Sequence, residues 1–176
     1  MERISSKVVY EGPLGEVRLE EYRHSDGSIA KRQVVTHPGA VAMVAHEGDV
    51  LYLVRQPREV VGAEALLELP AGKLDVPGES ELECAQRELA EEIGMEAAEW
   101  REVKRFYMSP GFTKERMVVF FATGLRAVEH EPDPEERIEV VPWPLSDLDG
   151  AIAECDDAKS LVGMLLFREL RRAGDA

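Results

Sequence analysis

The sequence predicts an α+β (mixed α/β) fold, and three observations lead to this class. Short apolar runs separated by Gly, Pro and Asp turn residues fill the first 70 residues, which is typical of strands. Between Glu79 and Ile93 the apolar residues recur at intervals of three and four, which is the period of a helix. Strand-like runs then return, and two helical segments end the sequence, so a doubly wound parallel sheet is disfavoured.

The first part of the chain is expected to form hairpins, because turn residues separate its apolar runs at short intervals. Ser25-Asp26-Gly27 and Glu47-Gly48-Asp49 are the clearest turn signals. The predicted strands cover residues 8–12, 16–23, 28–35, 40–46, 50–56 and 66–70.

The helix predicted between Glu79 and Ile93 is bounded by Pro77-Gly78 at its start and by Gly94 at its end. The apolar stripe that should face the sheet consists of Leu82, Ala85, Leu89 and Ile93. Later strands are expected at 100–107, 116–122 and 138–143, and later helices at 146–155 and 158–172. The last helix should bury Leu161, Met164, Leu165, Phe167 and Leu170.

The charge of the chain excludes two classes of partner. Acidic residues outnumber basic ones by 35 to 21, which gives a formal net charge of −14 at pH 7. This surplus argues against nucleic acids and anionic membranes, which attract Lys and Arg, and leaves cations as natural partners. It is concentrated in two segments: residues 68–102 hold 11 acidic and 3 basic side chains, and residues 129–139 hold 6 acidic and 1 basic.

The sequence also predicts a cytoplasmic protein. It has no apolar run near the roughly 18 residues of a membrane span, and its first residues lack the apolar core of a signal peptide. Cys84 and Cys155 could form one disulfide, but two cysteines do not make the framework of a small secreted protein. We therefore expect reduced thiols and no membrane partner.

Three glutamates on the predicted helix indicate metal chemistry. Glu88, Glu91 and Glu92 stand at positions i, i+3 and i+4, which places their carboxylates on one helix face. Like charges at these spacings repel, and a divalent cation, which prefers oxygen ligands, would offset the repulsion. The alternative, for this fragment taken alone, is a solvated acidic face.

The full pattern around these glutamates resembles the Nudix box, the signature of the Nudix hydrolases, written G-x5-E-x7-R-E-U-x-E-E-x-G-U with U aliphatic. Seven residues after Glu79 comes Arg87-Glu88-Leu89-Ala90-Glu91-Glu92-Ile93-Gly94-Met95, so every defined position from Glu79 onward matches. Six residues separate Gly72 from Glu79 where the pattern has five. We expect a turn in this loop to absorb the extra residue.

Segments outside the box resemble the ADP-ribose pyrophosphatase branch of that family. They are VRQPR, LLELPAGKLD and YMSPGFTKE, and Pro110 in the last of them lies fifteen residues after Met95, as is typical of the branch. The resemblance implies the Nudix fold, in which helices sandwich a mixed sheet, here with an N-terminal antiparallel strand region.

The same resemblance implies Mg²⁺-dependent hydrolysis of the diphosphate of ADP-ribose to AMP and ribose 5-phosphate, with Mn²⁺ or another divalent ion as the alternative cofactor. Two other functions stay open. One is hydrolysis of another nucleoside diphosphate sugar or of a dinucleotide. The other is a non-catalytic Nudix-like domain that senses nucleotides, although the box here retains all its carboxylates.

By resemblance, Glu88 and Glu92 are catalytic metal ligands, Glu91 is a further ligand, and the backbone carbonyl of Ala71 completes the site. Arg87 should pair with Glu79 and so orient the ligands, although Glu79 would also favour a helix start by its charge alone.

The branch also implies a glutamate base on a later loop. Glu136 is the best match, and Glu135 and Glu139 are alternatives. The other interpretation of this segment is a solvated acidic loop.

The substrate contacts implied by the resemblance are Arg58, Glu68, Arg32, Pro110, Gly111 and Phe112. Arg58 matches an arginine that meets the diphosphate or the base, and Glu68 matches a position that approaches the metal or the substrate. Arginine suits this role because its planar guanidinium bonds phosphate oxygens in pairs. The alternatives are that each arginine is a surface residue and that Phe112 belongs to the core.

In this branch the N-terminal strands commonly exchange with a second subunit. Residues 1–36 fit that arrangement, with residues 37–176 as the hydrolase domain, so the resemblance implies a homodimer. Tyr22 could stack on adenine or could simply pack. Cys84 is expected to be at least half-buried and not to act as a nucleophile, because no histidine lies near it in the motif.

Overall fold

The computed structural model describes residues 1–13, 15–129 and 137–174. The helices in these ranges are α1 Glu81–Ile93, α2 Leu148–Glu154 and α3 Ala158–Ala173. The strands are β1 Glu2–Gly12, β2 Gly15–Arg23, β3 Ile29–Val35, β4 Ala40–Glu47, β5 Val50–Arg58, β6 Ala63–Glu68, β7 Ala71–Lys73, β8 Met95–Tyr107, β9 Arg116–Ala127 and β10 Glu139–Pro144. The predicted α+β class is confirmed. By internal contacts the chain divides into a first unit, Met1–Gly39 with Phe106–Met117, and a second unit, Ala40–Arg105 with Val118–Ala176.

The first unit contains a separate antiparallel sheet in the order β1-β2-β3. The predicted turn at Ser25-Asp26-Gly27 joins β2 to β3, and Asp26 stabilises it by accepting a hydrogen bond from the backbone N–H of Ser28 at 3.0 Å. The first strand begins at Glu2 and is longer than the sequence predicted.

The second unit is built on a mixed sheet in the order β10-β5-β4-β9-β8, with β6 paired to β5 and β7 paired to β4. As predicted, β4 and β5 form an antiparallel hairpin around Glu47-Gly48-Asp49. The central strand β4 is buried from Ala40 to Ala45, so both of its faces must be covered.

Helices cover the two faces of this sheet. One face of β4 shares a core cluster with α1, and the cluster includes Val41, Met43, Ala45, Cys84, Ala85 and Leu89. On the other face, the ring of Phe167 in α3 lies 4.6 Å from that of His46 and 5.3 Å from that of Phe121, measured between centroids. Successive strand residues point to opposite faces, so α1 and α3 sandwich the sheet as expected.

The start of α1 differs from the prediction. Ser80 is the N-cap: its hydroxyl accepts the N–H of Glu83 at 3.2 Å, and the Glu83 carboxylate accepts the N–H of Ser80 at 2.8 Å. This reciprocal capping box, and not Pro77-Gly78, starts the helix at Glu81. The predicted end is confirmed, because Gly94 adopts the left-handed conformation that closes a helix.

Some predicted details were wrong. Leu82 and Leu165 are exposed, while Cys84 of α1 and Gly163 of α3 occupy buried positions instead. Strand β7 was not predicted, because three residues with a central glycine show no periodicity and the strand is defined by pairing with β4. In the described ranges we find no helix with the length and apolar character needed to cross a membrane.

Candidate functional site

Arg87 joins three glutamates at the acidic side of α1. Its Nε and Nη2 donate to the two carboxylate oxygens of Glu79 at 2.9 and 3.1 Å. Its Nη1 donates to Glu88 Oε1 at 2.9 Å and to Glu91 Oε2 at 2.8 Å. We call these four residues the Arg87 cluster. The predicted Glu79–Arg87 pair is present: its hydrogen bonds lower the pKa of Glu79 and raise that of Arg87, so both groups stay charged.

Glu92, the remaining box glutamate, is held by the backbone of β7. Its side chain is largely buried, and its Oε2 accepts a hydrogen bond from the N–H of Ala71 at 2.9 Å. Two residues that the sequence assigned to the metal site, Ala71 and Glu92, are therefore neighbours. The role of the Ala71 carbonyl as a ligand stays a prediction.

Gly72 lets Glu88 lie against the backbone of β7. A Cβ added at Gly72 would overlap the carboxyl carbon of Glu88. The glycine of the box is thus required here by close approach of a side chain to the main chain, and any larger residue would displace the carboxylate.

The loop with the extra residue makes a tight turn before α1. The N–H of Glu79 donates to the C=O of Val76 at 3.2 Å, with Pro77 and Gly78 in the middle positions and Gly78 at φ +85°. Both ends of the loop keep their contacts, since Gly72 meets Glu88 and Glu79 meets Arg87. The turn therefore accommodates the insertion.

The acidic side of α1 fits a hard divalent cation by its donor chemistry. Glu88, Glu91 and Glu92 provide carboxylate oxygens, the ligands that Mg²⁺ prefers. Within the described ranges, no three acidic, histidine or cysteine side chains converge as a ready-made metal cluster. Glu88 and Glu91 instead turn to Arg87, whose single positive charge leaves a surplus of negative charge that a cation would neutralise.

A second set of charged residues surrounds Glu68 at the end of β6. The buried Glu68 carboxylate accepts from Arg58 Nε at 2.6 Å and Nη2 at 2.7 Å, and from Lys159 Nζ at 2.5 Å. Lys159 also donates to Asp157 Oδ2 at 2.9 Å. We call these four residues the Glu68 cluster. Its inner members are closed off, because the side chains of Glu68 and Lys159 are only 1% and 11% exposed, while that of Arg58 is 42% exposed.

The charge of Glu92, a residue of the box, contributes to the raised pKa of Arg58 in this cluster. Hydrogen bonds to Glu68 raise the pKa of Arg58 despite partial burial, and the charges of Asp157 and Glu92 add to the effect. Burial alone would raise the pKa of Asp157, but the charge of Lys159 and hydrogen bonds from Ser160 and Lys159 lower it below its usual value. Arg58 is thus a permanent cation within the field of a predicted metal ligand.

Sequence reasoning missed Asp157, Lys159 and Ser160. Asp157 is the N-cap of α3 and accepts the N–H of Ser160 at 3.0 Å, a helix-start signal that is visible in the sequence. The contact between Lys159 and Glu68 spans 91 residues, and no local pattern indicates it.

The other predicted substrate residues meet in the first unit. Arg32, Pro110, Gly111 and Phe112 line a cavity of about 300 Å³, together with Tyr22 and others. Phe112 is exposed, which fits a binding surface better than a core position. The hydroxyl of Tyr22 donates to the buried carboxylate of Glu20, so its ring is held at the cavity by a polar partner.

The predicted base, Glu136, and the alternative Glu135 lie outside the residues that the structure describes. Glu139, the third candidate, is the first residue of β10 and is exposed. The choice among the three stays a prediction.

The two cysteines are free thiols, and both are buried; burial was expected for Cys84. Burial, with a smaller contribution from Glu88, raises the pKa of Cys84 to about 12. The thiol is therefore protonated at neutral pH and is unsuited to nucleophilic attack.

Comparison with known proteins gives matches over most of the chain. The model of the NUDIX domain family matches residues 35–160. An ADP-ribose pyrophosphatase of Mycobacterium tuberculosis is 40% identical over 144 residues, which cover 81% of this chain and 69% of that protein. An ADP-ribose pyrophosphatase of Bacillus subtilis is 36% identical over 148 residues, or 82% of this chain and 78% of that protein. The crystal structure of an ADP compounds hydrolase matches with a TM-score of 0.85 at 28% identity, covering 99% of this chain and 96% of that chain.

Proposed function

The chain belongs to the NUDIX family, and from this premise we propose that it is a Mg²⁺-dependent ADP-ribose pyrophosphatase. It hydrolyses the diphosphate of ADP-ribose to AMP and ribose 5-phosphate. One observation supports the proposal most directly: the residues of the Nudix box contact one another in the folded chain. Arg87 pairs with Glu79, and Gly72 lets Glu88 lie against β7.

The reaction requires water to attack a phosphorus atom that negative oxygens shield. Divalent ions, when bound, neutralise the diphosphate and lower the pKa of a bound water. In this chain Glu88, Glu91 and Glu92, with the Ala71 carbonyl, would hold them. Mn²⁺ or another divalent ion would serve as the alternative cofactor.

Arg87 orients these ligands. Its guanidinium bonds Glu88 and Glu91 through one nitrogen and is itself fixed by two bonds to Glu79. Because these side chains are already held in place, they lose less conformational entropy when the cation binds.

Arg58 binds the diphosphate. Glu68 holds the Nε and Nη2 side of the guanidinium, so the other side of the fork is available for phosphate oxygens. In the first unit, Arg32, Pro110, Gly111 and Phe112 provide substrate contacts around the cavity, and Tyr22 is a candidate for stacking on adenine.

Glu136 accepts the proton of the attacking water. We expect Glu136→Gln to lower kcat by at least about 10²-fold with little change in metal affinity, because the amide cannot take the proton. Glu135→Gln and Glu139→Gln test the two alternatives in the same assay, and near-normal turnover of the Glu136→Gln protein would remove the assignment of Glu136.

The decisive experiment is product analysis with ADP-ribose and Mg²⁺ in ¹⁸O-labelled water. AMP and ribose 5-phosphate are the expected products, and the label shows which phosphorus is attacked. Absence of both products would overturn the assignment. Because one solved relative is named an ADP compounds hydrolase, the second candidate is cleavage of another ADP-linked compound. A panel of nucleoside diphosphate sugars and dinucleotides separates the two.

The protein acts in the cytoplasm as a homodimer in which residues 1–36 exchange between subunits and residues 37–176 form the hydrolase domain. Exposed apolar side chains on the N-terminal sheet, among them Val8, Val9, Leu19 and Ile29, support the pairing. Two free buried thiols support a reducing compartment. Light scattering should give twice the chain mass of 19.6 kDa. A monomer that stays active would remove the exchange from the mechanism.

A further inference from the structure

The segment 155–160, which leads into α3, contacts three consecutive residues at the end of β6 and just after it. The Sγ of Cys155 lies 3.4 Å from the carbonyl oxygen of Leu67. Lys159 Nζ donates to the Glu68 carboxylate at 2.5 Å, and Ser160 Oγ accepts the N–H of Leu69 at 2.7 Å. The main chain is therefore contacted at Leu67 and Leu69, on both sides of Glu68, and the Glu68 side chain is held between these two contacts.

Lys159 is not needed merely to satisfy Glu68. Arg58 already bonds both carboxylate oxygens in a planar pair, at 2.6 and 2.7 Å. A buried ammonium group carries a large desolvation cost, and here Asp157 offsets part of it at 2.9 Å. The second cation therefore adds a third hydrogen bond, at Oε2, which further restricts rotation of the carboxylate about its terminal torsion.

The orientation of Glu68 determines that of Arg58. A guanidinium has five N–H groups, and two of those of Arg58 point to Glu68. Rotation of the carboxylate would carry the guanidinium plane with it and would change where the remaining N–H groups point. Arg58 is also the most exposed residue of the three, so it is the member that is open to a ligand.

We propose that Lys159, held in turn by Asp157, is a positioning residue that fixes Glu68 and so presents Arg58 to the diphosphate of the substrate. This inference rests on the proposed function, because the diphosphate is that of ADP-ribose. Lys159 itself touches neither the substrate nor the reacting atoms.

The first test is the split between KM and kcat in Lys159→Met, which keeps the length of the side chain and removes its charge. We expect KM for ADP-ribose to rise about tenfold, because a loosely oriented Arg58 binds the diphosphate less well, while kcat changes by less than about threefold. Lys159→Arg, which restores the cation, should recover most of the affinity. Lys104→Met, at an exposed lysine of the same unit, is the matched control and should leave both constants unchanged.

A double-mutant cycle with Arg58→Ala separates positioning from general damage. If Lys159 acts through Arg58, adding Lys159→Met to Arg58→Ala should change KM by less than about twofold. A full second increase in KM, or a Lys159→Met protein with normal KM, would overturn the proposal. Lys159→Leu, which also removes both the charge and the hydrogen-bond donor, provides the same test if Lys159→Met does not fold.

A spectroscopic readout keeps this test independent of the activity. In ¹⁵N NMR spectra, hydrogen exchange of the Arg58 Nε–H should be about tenfold faster in Lys159→Met than in wild type and should return toward wild type in Lys159→Arg. Unchanged exchange contradicts the positioning role whatever the enzyme does. Wild-type protein that fails to cleave ADP-ribose while this exchange still responds to Lys159 removes the proposed substrate and leaves the positioning of Arg58 standing.

Discussion

The Arg87 cluster and the Glu68 cluster are both made of salt bridges in the same unit, but they differ in charge balance and burial. The Arg87 cluster has three acids and one base, and Glu91 is 44% exposed. The Glu68 cluster has two acids and two bases, and Glu68 is 1% exposed. The first therefore carries more acids than bases, whereas the second is balanced and encloses Glu68, with Arg58 as its exposed member.

This difference assigns the two clusters different tasks. Surplus carboxylates suit a cation, and in the Arg87 cluster Glu91 lies at the surface while Glu79 and Glu88 are mostly buried. A buried, balanced cluster is costly to break, since removal of one partner leaves a charge without compensation. Substitutions in the Arg87 cluster should therefore lower kcat/KM more than the free energy of unfolding. Substitutions in the interior of the Glu68 cluster should mainly lower the free energy of unfolding.

The largest effect is expected from Glu88→Gln. The amide oxygen can still accept the bond from Arg87, so the local structure is kept while the charge of a proposed metal ligand is lost. Loss of that ligand should lower kcat/KM by about 10³-fold, equivalent to about 4 kcal/mol of transition-state stabilisation. Assays at several Mg²⁺ concentrations measure this. Glu99→Gln, at an exposed position, is the control and should be neutral, and an active Glu88→Gln enzyme would contradict the assignment.

The opposite result is expected in the Glu68 cluster. Lys159→Met should lower the free energy of unfolding by about 3 kcal/mol, because Asp157 loses the cation it pairs with and the buried Glu68 keeps only Arg58. Glu91→Gln, which removes an exposed pair, should change it by less than about 1 kcal/mol. Urea unfolding followed by circular dichroism measures both values. Equal losses in the two variants would mean that the clusters do not differ as their burial indicates.

The two clusters also show how much of the site could be predicted from the sequence. Glu79, Arg87, Glu88 and Glu91 lie within 13 residues, and helical spacing alone brings three of them to one face. Their contacts therefore follow from local geometry, and the predicted Glu79–Arg87 pair was confirmed.

The Glu68 cluster joins three separate parts of the chain and could not be predicted in this way. Arg58 and Glu68 were predicted individually, but their pairing depends on the register of β5 and β6. Lys159 reaches Glu68 only because α3 packs on the sheet, which is a tertiary event without a local signal. The same reason explains Leu165, whose spacing suggests burial although the way the helix packs exposes it.

Gly72→Ala tests the geometry of the Arg87 cluster without changing its charge. The new Cβ would displace the Glu88 carboxylate, so we expect kcat/KM to fall about 30-fold, or about 2 kcal/mol. Gly48→Ala is the control, since its added Cβ meets open space in a turn and should cost only about 1 kcal/mol of stability. Steady-state kinetics and thermal unfolding of both proteins measure the contrast. Full activity in Gly72→Ala would show that Glu88 need not lie against β7.

The smallest expected effect is the response of the Glu68 cluster to acid. The pKa of Asp157 is lowered in the folded protein, so unfolded chains bind its proton more readily. The stability that this group contributes is complete above its unfolded pKa, which is about 4. It is lost as the pH falls through the lower, folded value. Asp157→Asn keeps the helix cap but removes the titrating carboxyl group. As the pH is lowered from 5 through the folded pKa of Asp157, the free energy of unfolding of this variant should therefore fall less than that of wild type. Urea titrations across this range measure the difference, and identical slopes for the two proteins would show that Asp157 does not couple folding to protons.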